Sequence, residues 1–143
     1  MRPTHGKAAV RTFETGAIRD LDDGKLDFEG FLSPLVVEAF GQYMHHHRST
    51  AAGWRDSDNW QKGFPLDTLM KSGWRHHMEW WKEHRGHKTP EGLVWAVCGV
   101  MFNAQGYLHE LIKADPTIVE RALAEAGKRR SPTKGKPRKG KRK

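Results

Sequence analysis

The sequence is poor in cysteine and in long apolar runs, and each shortage excludes a class of protein. Its one cysteine, Cys98, has no second thiol for an internal disulfide, so we expect a reducing, cytoplasmic setting. Cys98 lies in an apolar stretch and is expected to be a small buried hydrophobe rather than a nucleophile. No run approaches the roughly 18 apolar residues of a membrane span, and residues 1–10 lack the apolar region of a signal peptide.

Motifs that bind nucleotides through glycine-rich loops are also absent from the sequence. The chain contains no GxGxxG and no GxxxxGK[ST], and it contains no GxSxG nucleophile elbow. Neither CxxC nor HExxH accompanies the histidine triplet 45–47, whose side chains point in different directions on a helix, so we expect no structural zinc site. Any phosphate chemistry would therefore use a metal ion together with positively charged side chains.

Positive charge is in excess, but the excess is confined to one end of the chain. The formal net charge is +8, from 25 Lys and Arg against 17 Asp and Glu. Residues 128–143, KRRSPTKGKPRKGKRK, hold ten of the basic residues and no acid, which leaves the rest of the chain with a net charge of −2. We predict that this tail is disordered. It either contacts nucleic acid through phosphates or only aids solubility.

Helix-start signals recur along the remaining chain. Ser33-Pro34, Thr89-Pro90 and Asp115-Pro116 each place an N-cap residue before a proline at the first helical position. Apolar residues at helical spacing predict helices over about Pro34–His47, Leu66–His84, Pro90–Lys113 and Pro116–Ala126, the last ending at Gly127. The third of these is apolar nearly all round and should be the most buried. No segment alternates with the two-residue period of a strand, so we predict an all-α fold.

One long loop is predicted between residues 48 and 64, and its composition indicates function. Residues 55–63 read RDSDNWQKG, in which Asp, Ser, Asn and Gly favour turns. Loops longer than about 12–15 residues are usually functional or disordered, and Trp54 and Trp60 argue against disorder. The predicted organisation is an irregular N-terminal arm (1–32), a helical domain (33–127) and the basic tail (128–143).

Several polar side chains occupy positions on the predicted helices that require partners. Asn103 lies within the most apolar helix, where it either forms an interhelical hydrogen bond or contacts a ligand or metal; without partners it would cost about 1–3 kcal/mol. His76, Glu79 and Glu83 share one helix face, where the carboxylates either hold Mg²⁺ or Mn²⁺ or form a solvated face with internal ion pairs. Glu38 would join them if the first two helices pack antiparallel.

Four segments in this order resemble a known family. FETGAIRD (13–20), RDSDNWQKG (55–63), RHHMEWW (75–81) and FNAQGYLHEL (102–111) are similar to the phage dATP/dGTP diphosphohydrolases, MazG-like members of the all-α NTP pyrophosphatase superfamily. The resemblance implies a four-helix bundle that assembles as a homo-tetramer or homodimer. It also implies cleavage of dGTP or GTP, with dATP as a further substrate, to (d)NMP and pyrophosphate, serving phage nucleotide metabolism for 2-aminoadenine DNA.

Residue roles follow from this resemblance together with the chemistry of phosphates. The Mg²⁺ or Mn²⁺ ligands would be Glu38, His76, Glu79 and Glu83, and the catalytic residues would be Glu38, Glu79 and Lys62. The substrate-binding residues would be Arg19, Arg55 and Lys62 on the phosphates, Trp60 or Trp80 on the base, and Asn59, Asn103 or an acid on the polar edge of guanine, with Glu14 also assigned to this site. Arg19 could instead pair with Asp20.

The sequence departs from the acidic EExxE and ExxD pattern of the superfamily. Asn103 stands where an acid is expected, and Glu91 is predicted to be a first-turn residue favoured by the helix dipole. Two other interpretations therefore stay open. One is a catalytically inactive structural relative. The other is a basic-tailed helical protein that binds nucleic acid without catalysis, although the body of the chain carries no recognition motif.

Overall fold

The computed structural model describes residues 9–130 and divides the chain into two compact units, Met1–Glu38 and Ala39–Lys143. The described chain is mostly helical, as the sequence predicts. It also contains two small antiparallel sheets within residues 9–130, so the prediction of a fold without strands is corrected. No helix in this range is long and apolar enough to cross a membrane.

The first unit begins with a β-hairpin. Strand β1 (Val10–Thr12) pairs with strand β2 (Ile18–Asp20), and the connecting turn includes Gly16 at a positive φ of 84°. The predicted irregular arm is therefore wrong for this stretch. Strands of three residues are too short to display a recognisable two-residue period, which explains why the pattern did not reveal them.

Two helices follow the hairpin, and each has a side-chain cap. Helix α1 (Phe28–Phe31) begins after Asp27, whose carboxylate accepts a hydrogen bond from the Gly30 N–H at 2.9 Å. Helix α2 (Pro34–His46) begins after Ser33, whose hydroxyl accepts a hydrogen bond from the Val36 N–H at 3.3 Å. The predicted start of α2 is confirmed, because Ser33 caps an N–H that has no partner within the helix.

The core of the second unit lies between two long antiparallel helices, α3 (Leu66–His84) and α4 (Leu93–Ala114). Small residues let their backbones approach closely, and the facing pairs are Leu69 with Gly106, Gly73 with Asn103, and His76 with Gly99. The buried apolar residues in the described chain are Tyr43, Leu69, Ala96 and Cys98. Most buried positions belong to α4, as predicted, and burial raises the pKa of the Cys98 thiol.

Two of the predicted helix starts lie two or three residues too early. Helix α4 begins at Leu93 rather than Pro90, because the Thr89 hydroxyl accepts a hydrogen bond from the Gly92 N–H at 3.2 Å and forms a turn before the helix. Helix α5 (Ile118–Arg130) begins after a similar turn, in which the Asp115 carboxylate accepts a hydrogen bond from the Thr117 N–H at 3.1 Å.

The predicted end of α5 is also wrong. The helix continues through Gly127 to Arg130, and Gly127 does not have the positive φ of a glycine that ends a helix. Lys128, Arg129 and Arg130 are therefore helical rather than part of a disordered tail. The remainder of the predicted tail, residues 131–143, lies outside the described residues.

The predicted loop at 48–64 is ordered by local structure. Strand β3 (Ser49–Thr50) pairs with strand β4 (Gly53–Trp54), and a short 3-10 helix covers Asn59–Lys62. The turn between the strands is closed by the Thr50 hydroxyl, which donates a hydrogen bond to the Gly53 carbonyl at 2.7 Å. The loop therefore holds its polar side chains in defined positions.

Candidate functional site

The β3–β4 hairpin places two arginines beside each other at its open end. The Arg55 N–H donates a hydrogen bond to the Arg48 carbonyl at 2.8 Å, and Nε of Arg48 donates one to the Arg55 carbonyl at 2.9 Å. A guanidinium N–H of Arg55 also donates a hydrogen bond to the His47 carbonyl. Within residues 9–130 neither guanidinium forms an ion pair with a carboxylate, so both positive charges remain available to an anion.

An aromatic ring restricts one of these arginines further. The guanidinium carbon of Arg48 lies 4.7 Å from the centroid of the Trp54 ring, a distance at which the ring attracts the cation. His45 contacts the edge of the same ring, with centroids 5.6 Å apart. Arg48 is therefore held in one orientation by a hydrogen bond and a ring contact, and its terminal nitrogens have no hydrogen-bond partner in the described chain.

Both arginines line a cleft formed by the end of α2, the loop that follows it, and helices α3 and α4. The cleft has a volume of about 150 Å³ and is partly open to solvent. We call it the arginine cleft, and its polar and aromatic wall includes Arg48, Arg55, Asp56, Asn59, Trp60 and His76. It therefore combines positive charge, an amide and an indole in one place.

His76 is held in this cleft by a carboxylate from outside α3. Its Nδ1 lies 2.8 Å and 2.9 Å from the two carboxylate oxygens of Glu91. The ring rests on α4 at Gly99, where an added Cβ would lie 2.4 Å from Nδ1. In the described part of the chain, Nε2 of His76 has no hydrogen-bond partner. Because Nδ1 faces a carboxylate, it carries a proton, and in the neutral ring Nε2 is then the acceptor.

Glu91 does not have the role expected from the sequence. It precedes the first residue of α4, so it is not a first-turn residue, and its carboxylate reaches back to α3 instead. Its negative charge also reaches Tyr43, whose pKa is raised to about 12 by burial first and by Glu91 second. The Tyr43 hydroxyl therefore stays protonated at neutral pH.

The arginine cleft gathers four of the site residues that the sequence predicted: Arg55, Asn59, Trp60 and His76. Sequence reasoning missed Arg48 and Glu91. Recognition of the β3–β4 hairpin would have indicated Arg48, because two paired strands place the residues that flank them, Arg48 and Arg55, opposite each other. The signal for Glu91 was the short connection between two antiparallel helices, which returns the chain to the side of α3.

The other predicted site residues lie elsewhere. Glu14, Arg19 and Glu38 belong to the first unit, where all three are exposed and none forms an ion pair in the described chain. The alternative pairing of Arg19 with Asp20 is therefore not observed. Lys62 and Trp80 do not line the arginine cleft.

Asn103 lines a different cavity, on the other side of the α3–α4 pair. It is buried, and its Nδ2 donates a hydrogen bond to the Gly99 carbonyl of its own helix at 2.8 Å. The sequence suggested an interhelical hydrogen bond for Asn103. The side chain instead forms a hydrogen bond within α4 and a close contact with Gly73 of α3. Asn103 is separated from Asn59, the other residue predicted to contact a guanine edge.

Three of the four predicted metal ligands, His76, Glu79 and Glu83, are engaged with other groups. Glu79 accepts a hydrogen bond from Lys82 at 3.0 Å, and Glu83 accepts bonds from the Thr89 N–H at 2.7 Å and from the Thr89 hydroxyl at 3.1 Å. Residues 9–130 contain no group of three or more His, Cys, Asp or Glu placed to hold a metal ion. The described chain therefore assigns no protein ligands to the predicted ion, which stays a prediction.

Glu83 has a clear structural role. The Thr89 N–H lowers the pKa of its carboxyl below the ordinary value of 4.5, and the Thr89 hydroxyl and Lys88 lower it further. These contacts tie the connection between the helices, residues 85–92, to the last turn of α3. Glu83 therefore holds in place the segment that carries Glu91.

Comparisons with known proteins add no relative. A scan against models of protein families, a search of curated proteins and a search of solved structures all find no match to this chain.

Proposed function

We propose that this protein is a MazG-like pyrophosphohydrolase that cleaves a purine (d)NTP between the α- and β-phosphates, releasing (d)NMP and pyrophosphate. The proposed substrates are dGTP or GTP, with dATP as a further one, in phage nucleotide metabolism that supports 2-aminoadenine DNA. The observation that carries the proposal is the arginine cleft, where two arginines without carboxylate partners share a cavity with Asn59 and Trp60. A nucleotide presents a polyanion and an aromatic base, which match these two kinds of group.

The phosphates are the natural partners of the two arginines. A guanidinium donates parallel hydrogen bonds to phosphate oxygens, and such charge-assisted bonds are stronger than neutral ones. Arg48 is already held by Trp54 and by the Arg55 carbonyl. Because it is ordered before binding, less conformational entropy is lost when a phosphate arrives.

The base would lie against Trp60. This side chain is partly buried, and its ring makes a T-shaped contact with His109 at a centroid distance of 4.8 Å. Stacking of a base on an aromatic side chain contributes about 1–3 kcal/mol. Asn59 is the adjacent residue, and its amide can both donate to and accept from a purine edge. We therefore assign base recognition to this pair.

The attacking water would give its proton to His76. The water oxygen forms a bond to the α-phosphorus, the bond from that phosphorus to the bridging oxygen breaks, and pyrophosphate leaves. Nε2 of His76 is the ring nitrogen without a partner in the described chain, and Glu91 holds the ring by Nδ1 and stabilises the charge that develops. A divalent cation, Mg²⁺ or Mn²⁺, remains part of the proposal as the counter-ion of the triphosphate.

The proposal also covers architecture and assembly. Helices α2 to α5 would be the four helices of a MazG-like bundle, and the protein would act in the host cytoplasm as a homodimer or homo-tetramer. The support for assembly is the set of large apolar side chains that the single chain leaves exposed.

A product assay tests the reaction. The protein is incubated with each of the four dNTPs and with GTP, with Mg²⁺ or Mn²⁺ and with a chelator as the control, and the products are separated by chromatography. We expect nucleoside monophosphate and pyrophosphate in equal amounts from the purine nucleotides, and no turnover with the chelator. Release of orthophosphate without pyrophosphate, or no turnover of any nucleotide, would contradict the proposal.

A further inference from the structure

The first unit has no core of its own. Every described residue from 9 to 38 is exposed, and eleven of these are large hydrophobic residues. The exposed fractions reach 76% for Leu35, 74% for Phe31 and 63% for Phe28. Single exposed hydrophobic residues are common on protein surfaces, but a dense group of them marks an interaction surface. We call this set, centred on Phe28, Phe31, Leu32 and Leu35, the apolar arm.

The second unit has an uncovered apolar surface of its own. The cavity that includes Asn103 has a volume of about 490 Å³ and is lined mainly by apolar side chains of α3 and α4. We call it the apolar groove. Among its residues, Trp74 is 60% exposed, Leu108 52% and Met70 48%. The single chain therefore leaves two apolar surfaces open to water, one in each unit.

The two units carry opposite charge. Residues 9–38 contain three basic and seven acidic residues, a net charge of −4. Residues 39–130 contain 13 basic and 10 acidic residues, a net charge of +3. Charge and hydrophobicity together thus make the arm complementary to the second unit rather than to a second arm.

The same complementarity holds next to the apolar residues themselves. Glu29 lies between Phe28 and Phe31 in the sequence, while Lys71 and Arg75 each follow a groove residue on α3. None of these three charged side chains forms an ion pair within the described chain. The unpaired charge beside the arm is therefore opposite in sign to the two beside the groove.

We propose that the apolar arm of one copy docks in the apolar groove of a second copy, with Glu29 near Lys71 and Arg75. In a two-fold arrangement each chain gives its arm and receives its partner's arm, so both surfaces are covered and the assembly closes. The occupant is a second copy because the chain itself contains an arm of matching polarity and opposite charge, so that two copies cover both kinds of apolar surface at once. The proposal does not depend on the proposed reaction.

Disulfide trapping tests the contact directly. Cys98 is replaced by Ala, which removes the one native thiol, and Leu35→Cys and Trp74→Cys are introduced separately into full-length chains with different affinity tags. After co-expression and mild oxidation, we expect a disulfide-linked species of twice the chain mass that carries both tags. Leu35→Cys combined with Glu125→Cys, an exposed position on α5, is the matched control and should give no such species.

The alternatives give different results in the same experiment. Self-linking of Trp74→Cys alone would mean that groove packs against groove, and it would overturn the proposal. A disulfide within one chain that carries both Leu35→Cys and Trp74→Cys, at monomer mass, would overturn it as well. So would a monomeric mass for the unmodified protein, measured by light scattering during size exclusion.

A substitution provides an independent measurement. Leu35→Glu places a charge at the centre of the apolar arm, and we expect it to reduce the assembly to monomers. Leu123→Glu, at an exposed position on α5, is the matched control and should keep the parent mass. Circular dichroism checks that both variants fold, and if Leu35→Glu does not fold, the disulfide experiment decides. Unchanged mass in folded Leu35→Glu would overturn the proposal.

Discussion

The arginine cleft and the apolar groove are built on the same two helices, yet no residue lines both. Helix α3 gives His76 to the cleft and Trp74 to the groove, and helix α4 gives Phe102 to the cleft and Leu108 to the groove. The cleft adds the end of α2 and a loop with two arginines, whereas the groove has no lining residue outside α3 and α4. One packed helix pair thus carries the proposed ligand site on one side and the proposed assembly surface on the other.

The largest expected effect is weaker nucleotide binding when Arg55 of the arginine cleft loses its charge. Arg55→Gln removes charge-assisted hydrogen bonds to phosphate, which contribute about 1.5–3 kcal/mol, so KM or the nucleotide Kd should rise roughly ten- to a hundredfold. The subunit assembly should not change, because Arg55 does not line the groove. Arg85→Gln, at an exposed arginine outside both cavities, is the control and should bind nucleotide normally. Equal loss in both variants would remove Arg55 from the site.

The next expected effect concerns the aromatic wall of the cleft. Trp60→Ala should weaken purine nucleotide binding by about 1–3 kcal/mol, since the base loses its stacking surface. Trp81→Ala provides the comparison, because Trp81 is 54% exposed on α3 and lines neither cavity. Calorimetric titration with a non-hydrolysable nucleotide measures both. If the two variants bind equally well, the base does not lie on Trp60.

The packing of α3 against α4 should be sensitive to substitution of Gly99, where the His76 ring contacts α4. In Gly99→Ala the new Cβ would lie 2.4 Å from the His76 ring, so the ring must move, and overpacking should lower the free energy of unfolding by about 1–3 kcal/mol. Gly41→Ala, in the middle of α2 with no atom within 4 Å of the new Cβ, should instead be neutral or raise it by about 1 kcal/mol. Urea titrations of both proteins measure the difference. A stable Gly99→Ala protein with normal turnover would show that the His76 position is not required.

The smallest expected effect is on the pH dependence of stability. Hydrogen bonds from Thr89 lower the pKa of Glu83 in the folded chain, so this contribution is present above the unfolded value of about 4.5 and is lost as pH falls through the folded pKa. Glu83→Gln should therefore reduce stability at pH 7 and flatten its fall below about pH 4.5. The control is Glu120→Gln, at an exposed position on α5. Thermal melts from pH 7 to pH 3 in which Glu83→Gln retains the full acid sensitivity would contradict this role.

The sequence predicted helix bounds well where the bounds depend on interactions between residues within one helical turn. The bounds of α3 agree with the prediction at both ends, and Ser33 caps α2 as expected, because apolar spacing and N-cap chemistry depend on neighbouring residues. Thr89 was misjudged for the opposite reason. Its backbone N–H and hydroxyl both bond to Glu83, six residues earlier, and its hydroxyl forms a turn with Gly92. A cap signal alone cannot reveal such competing partners.

The candidate site was predicted in part. Residues close in sequence were grouped correctly, whereas residues that meet only through folding were missed. Arg55, Asn59 and Trp60 are close in sequence, so loop composition and the family resemblance were enough to group them. Arg48 was missed because its proximity to Arg55 depends on the pairing of β3 with β4. Glu91 was missed because its bond to His76 depends on the return of the chain along α3.

The sequence by itself determined the helical segments, the burial of Cys98 and the chemistry of the loop at 55–63, since composition and short-range periodicity are properties of the chain alone. Only the tertiary structure decided that His76 joins the loop in one cleft while Asn103 lies in another. It also decided that Glu83 holds the connection to α4. The physical reason is that facing glycines set how closely α3 and α4 pack and how the two helices align. That alignment determines which side chains meet.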